Sequence, residues 1–78
     1  MISPAQIRAA RALLGWKQTD LAAASGLSEV SIKNIERGKT DARSSTMAKI
    51  EGAVADAGVL FLDAGVNRDG GPGVRLKG

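Results

Sequence analysis

Four glycines, Gly15, Gly26, Gly38 and Gly58, cut the first 58 residues into short segments, each with apolar side chains at helical spacing. This punctuation constrains the fold more than any other feature, because it calls for several short helices packed against one another. In the first segment, Ser3-Pro4-Ala5-Gln6 is a helix start. Ser3 can cap, Pro4 fits the first helical position where its missing N–H is no loss, and Gln6 can complete a capping box. Ile2 and Ile7 stand where a hydrophobic staple closes, and Ile7, Ala10 and Leu14 form one stripe, predicting a helix over 4–14.

The second segment predicts a helix over 18–25, with Leu21, Ala22 and Ala24 as its apolar content. In the third, Ser28 is a good cap, Glu29 suits the positive helix start, and Ile32 and Ile35 face inward, predicting a helix over 29–37. A polar connection over 40–45 leads to a fourth helix whose stripe is Met47, Ile50, Val54 and Ala57. Beyond Gly58 the pattern changes. Val59-Leu60-Phe61-Leu62 is a short β-favouring run, residues 67–73 are rich in turn formers, and Val74-Arg75-Leu76 alternates as a strand does. These predict a hairpin or two short strands; the alternative is a glycine-rich tail without structure. The expected division is 1–58 as the helical domain and 59–78 as a β extension.

Composition removes several function classes. The 78 residues include no cysteine and no histidine, so disulfides, thiolate or imidazole metal sites and His-based acid–base catalysis are excluded. Gly70-Gly71-Pro72-Gly73 is not followed by a helix carrying Lys-Ser/Thr, so it reads as a turn and not as a phosphate cradle. No catalytic residue, metal or cofactor is therefore expected, and no enzyme. Met1-Ile2-Ser3-Pro4 leads into a polar stretch and not a signal-peptide core, and no apolar run approaches the ~20 residues that span a bilayer. A cytoplasmic protein without membrane attachment is expected. The net charge of +3 is unevenly placed: residues 1–43 and 66–78 are net basic, and residues 44–65 are net acidic. A basic front with an acidic rear suits a polyanionic partner.

Two short helices joined by a glycine-containing turn have helix-turn-helix geometry. Here the pieces are residues 18–25, the turn Gly26-Leu27-Ser28, and residues 29–37. Ala22 allows close approach, Gly26 permits the positive φ of a sharp turn, and Leu21, Leu27, Ile32 and Ile35 form the wedge between the helices. Ser28, Glu29, Val30, Lys33 and Asn34 are then left pointing away from the core. Trp16 reads as a core or hinge aromatic more readily than as a stacking platform.

The run Leu14-Gly15-Trp16-Lys17-Gln18-Thr19-Asp20-Leu21-Ala22, followed by Gly26-Leu27-Ser28 and by Ile32-Lys33-Asn34-Ile35-Glu36-Arg37-Gly38-Lys39, resembles the Cro/C1-type, or Xre, helix-turn-helix family. The likeness covers about residues 4–57. It implies a mainly α, four-helix, lambda-repressor-like domain that binds double-stranded DNA as a bacterial transcriptional regulator, in the nucleoid when bound, with residues 18–36 as its reading unit. By the resemblance, Gln18 contacts a phosphate and buttresses the reading helix. Ser28, Glu29, Val30 and Asn34 reach base edges, with Ser31 and Lys33 beside them. Lys39, Thr40 and Arg43 grip backbone phosphates, and Arg11 and Glu36 form a buried ion pair. Lys17 stands where the family has a capping Ser or Asn and is placed to gain a phosphate contact. Ala42 replaces a common proline, and strands replace the family's usual fifth helix. A repressor acting as a homodimer through helix 4 and the strands 59–62 and 74–76 is the leading expectation. The runner-up is a protein-interaction module on the same fold, an antiactivator or antitoxin.

Overall fold

The computed structural model describes residues 2–39, 43–63 and 70–77. It is mainly helical, with α1 (Pro4–Leu14), α2 (Gln18–Ser25), α3 (Glu29–Glu36) and α4 (Ser44–Asp56), followed by β1 (Val59–Leu62) and β2 (Gly73–Leu76). Thr40 and Ala42, and the expected turn residues Asn67, Arg68 and Asp69, lie outside the described residues.

Local chemistry sets each boundary. The Ser3 hydroxyl accepts from the Gln6 amide N–H at 3.2 Å while Gln6 Oε1 accepts from the Ser3 N–H at 2.8 Å, a reciprocal box that opens α1. Gly15 ends the helix in the left-handed region at φ 67°, with Trp16 N–H donating back to the Arg11 carbonyl. Lys17 offers α2 no side-chain cap; instead Asp20 Oδ2 accepts from the Lys17 N–H at 2.8 Å, favourable at the positive end of the helix. Gly26, at φ 75°, makes the sharp turn into α3. That helix ends at Glu36, one residue short of the sequence expectation, and Arg37 is its C-cap. Ala57 departs further from expectation: α4 ends at Asp56, and Ala57 is an exposed C-cap and not a member of the buried stripe. An Ala methyl contributes little burial, so the turn into β1 decides its place.

The core is one cluster of Ile2, Ile7, Ala10, Leu21, Ala22, Ile32, Ile35, Met47, Ile50, Val54 and Val59, with Leu14, Trp16, Leu27, Ala53, Phe61 and Val74 packed on its border. Every helix contributes, and β1 adds Val59. The strands pair antiparallel, Val59 opposite Leu76 and Leu62 opposite Gly73, with β2 starting one residue before the expected Val74. Phe61 and Val74 are opposite each other on the face turned to the helices. Leu60 and Leu62 alternate to the other face, half-buried and outside the core cluster. At the far end the Lys77 N–H donates to the Gly58 carbonyl, and Lys77 Nζ donates to the Ala55 carbonyl at 2.8 Å, closing the end of α4. Among the described residues no helix is long and apolar enough to cross a membrane.

Candidate nucleic-acid interface

The helix-turn-helix is built around Leu21, Ile32 and Ile35, all buried, with Leu27 half-buried beside them. Burying a full Leu or Ile side chain contributes about 1.5–3 kcal/mol, enough for these residues to fix how α2 and α3 cross. Ala22 at the contact keeps the helices close, and the Gly26 and Leu27 N–H groups both donate to its carbonyl. With Ile32 and Ile35 turned inward, the opposite face of α3 has no choice but solvent. Val30 is 66 % exposed, and Ser28, Glu29 and Lys33 are exposed as well. Asn34 and Ser31 are half-buried at the margins of this face.

The hydroxyls at the start of α3 are partly engaged. Ser28 Oγ accepts from the Ser31 N–H at 3.1 Å and bonds the Ser31 hydroxyl at 2.9 Å, so the cap and its neighbour hold each other. Glu29 and Lys33, one turn apart, approach to 3.6 Å between Oε1 and Nζ. An exposed pair of this kind contributes little stability. It does neutralise a carboxylate on an otherwise uncharged or basic face.

Behind the exposed face of α3 lies a largely buried polar network. Glu36 is 3 % exposed, and its carboxylate accepts from Arg11 Nε at 2.7 Å, Arg11 Nη2 at 2.8 Å and Gln18 Nε2 at 3.3 Å. The remaining Arg11 nitrogen, Nη1, donates to the Trp16 carbonyl at 3.1 Å. One guanidinium thus joins the end of α1, the link to α2 and the end of α3. The Glu36 hydrogen bond holds the Arg11 guanidinium above its ordinary range; partial burial opposes this, and attraction to the carboxylate adds to it. Arg8, one turn earlier on α1, donates to the Glu36 main-chain carbonyl and covers the negative end of α3.

Lys17 and Lys39 are exposed at the two ends of the unit, and Arg43 is exposed as the N-cap residue of α4. Gln18, half-buried, is the residue that joins the start of α2 to the Glu36 network. The described structure therefore gathers Ser28, Glu29, Val30, Ser31, Lys33 and Asn34 on α3 and its cap. Lys17, Lys39 and Arg43 lie on flanking loops and caps, and Thr40 falls outside it. Sequence reasoning missed Arg8. Its signal is the three-residue spacing to Arg11, which puts two guanidiniums on one side of α1. Reasoning from the sequence also gave Gln6 only its capping role.

A helix-turn-helix family model matches residues 7–54, from inside α1 to inside α4. No curated protein matches the chain. The matched span exceeds half of the sequence and contains both helices of the reading unit, the turn between them and the Arg11–Glu36 network behind them. The chain belongs to the Cro/C1-type, or Xre, family of helix-turn-helix DNA-binding transcriptional regulators.

Proposed function

We propose that this protein is a repressor that binds a two-fold operator as a homodimer, with α3 in the major groove. The exposure of Val30 carries this reading. A valine 66 % exposed on a helix whose other apolar residues are buried has no part in the core, and it suits contact with a thymine methyl. Around it, Asn34 matches an adenine edge, and Glu29, steadied by Lys33, matches a cytosine N4 amino group. Lys17, Lys39 and Arg43 are exposed cations flanking that face, placed for backbone phosphates. Arg11 and Glu36 act behind the face, as the pair that seats α3.

A single unit of this size buries too little surface for tight specific binding, and operator symmetry mirrors protein symmetry. The hairpin is the surface we assign to assembly, with α4 beside it. Phe61 and Val74 are absorbed by the core of their own chain, but Leu60 and Leu62 face away from it and Leu76 is 50 % exposed. A two-stranded sheet is marginally stable alone, and its edges can pair with a second copy. In this division residues 1–58 read DNA and residues 59–78 join two copies.

A second reading, in which the same face binds a protein, as in an antiactivator or antitoxin, rests on Glu29 itself, an exposed carboxylate on a face that would meet phosphate. Selection of bound duplexes from a random pool separates the two. A repressor enriches a sequence whose halves are related by two-fold symmetry and spaced about 10 bp apart. A pool that stays random after repeated rounds overturns the reading.

A further inference from the structure

Gln6 is 4 % exposed, and its whole side-chain amide is engaged. While Oε1 holds the Ser3 N–H, Nε2 donates to two carbonyls at once: Leu62 at 3.1 Å and Gly73 at 3.0 Å. Leu62 and Gly73 are partners in the sheet register, at the end of β1 and the start of β2. One side chain of α1 thus ties its own helix cap to both strands. Farther along the same helix, Arg8 and Arg11 are bonded to the end of α3. The helix is fastened at its first turn to the hairpin and through its next two turns to α3.

We infer that Gln6 is a positioning residue for DNA recognition: by closing the hairpin on α1 it sets the seating of α3, so hairpin closure and sequence-specific binding are coupled. The inference rests on the DNA-binding reading. A neutral amide suits the position because the site offers one N–H, from Ser3, and two main-chain carbonyls, which take N–H donors and reject a carboxylate. Without that donor the two strands lose their tether to α1, and a two-stranded sheet holds poorly alone. Val59, Phe61 and Val74 then loosen over α1, and the helix that carries Arg11 shifts against Glu36. Coupling of this kind is reciprocal: if a closed hairpin favours specific DNA, specific DNA favours a closed hairpin by the same factor.

The unmodified protein tests the reciprocal half. Exchange of the strand amides is followed by NMR with no DNA, with a duplex enriched from a random pool, and with a scrambled duplex of equal composition. We expect the enriched duplex to slow β1 and β2 amides about ten-fold more than the scrambled one does. Gln6→Met tests the direct half. It should retain helical dichroism, speed exchange of the strand amides, and cut the ratio of enriched to scrambled affinity about ten-fold with the salt slope unchanged. Gln6→Glu should behave likewise at neutral pH and recover as its carboxyl protonates and donates again, a recovery Gln6→Met cannot show. Strand amides indifferent to the enriched duplex, or opened by Gln6→Met with the affinity ratio intact, would overturn the inference. Should Gln6→Met fail to fold, the exchange comparison on the unmodified protein decides alone. If the unmodified protein does not distinguish the two duplexes, it is the proposed function that fails.

Discussion

Glu36 shows how much one side chain does in a domain this small. It is buried, its carboxylate takes three N–H donors from Arg11 and Gln18, and Arg11 itself is only 20 % exposed. Glu36→Ala removes both carboxylate bonds from a largely buried guanidinium and should cost about 3 kcal/mol. Glu51→Ala, at an exposed position on α4, should cost about 0.5 kcal/mol or less. Denaturant midpoints for the two variants measure the difference; equal midpoints would show that the pair supports nothing. The sign of the Arg11 shift sets its pH dependence. A raised guanidinium pKa gives stability that is full below the ordinary Arg range and lost only as the pH rises through the raised value. Between about pH 6 and 9, Arg11 should add no slope to stability, as unfolding midpoints along that range can check. On the reading face, Asn34→Ala should cost about 1–3 kcal/mol on the operator and relax base preference at one position. Lys39→Ala and Arg43→Ala should weaken all duplexes alike and flatten the salt slope by about one each. Equal losses on operator and random DNA for Asn34→Ala would place that side chain on the backbone instead.

At the scale of elements, what was legible in the sequence was local. The capping box of Ser3 and Gln6, the glycine after each of α1 and α2 and the Ser28 cap act within a few residues, so they mark helix ends without knowledge of the fold. The wedge of Leu21, Ile32 and Ile35 follows from helical spacing in the same way, as does the one-turn spacing of Glu29 and Lys33. The bonds from Gln6 to Leu62 and Gly73 span 56 and 67 residues, and no local pattern announces them. Arg8 shares a side of α1 with Arg11 by its spacing, but its acceptor, the Glu36 carbonyl 28 residues away, is not local, and neither is the division of the apolar run at 59–62 between the core and the outer face. Gly26 gives this scale its own prediction. Its φ of 75° is costly for any side chain, yet a Cβ there meets no atom within 4 Å, so Gly26→Ala tests the backbone alone. It should lower stability by about 1–2 kcal/mol, with Gly26→Asn costing less. Thermal unfolding of both variants measures this, and an alanine variant as stable as the parent would show that the turn does not depend on the left-handed conformation.

The whole molecule brings these pieces together as a small helix-turn-helix domain of a DNA-binding family. α2 and α3 form the helix-turn-helix, the Arg11–Glu36–Gln18 network joins it to α1, and the hairpin lies across α1 and α4 with Leu60 and Leu62 facing outward. Charge is unevenly divided: residues 1–43, which contain the helix-turn-helix, and residues 66–78 are net basic and residues 44–65 net acidic, which suits a polyanionic partner at the helix-turn-helix. If the hairpin joins two copies, sedimentation of the full chain should show a dimer, and Leu60→Asp should dissociate it while preserving the helical dichroism. A full chain that stays monomeric at high concentration would refute that assembly. Sequence-specific binding to duplex DNA is measured most directly as affinity for an enriched and a scrambled duplex across a salt series. The enriched duplex should bind at least about 10³-fold more tightly, and both affinities should fall steeply as salt rises. Equal affinity for the two duplexes, or binding to neither at low salt, would show that the protein does not recognise a DNA sequence.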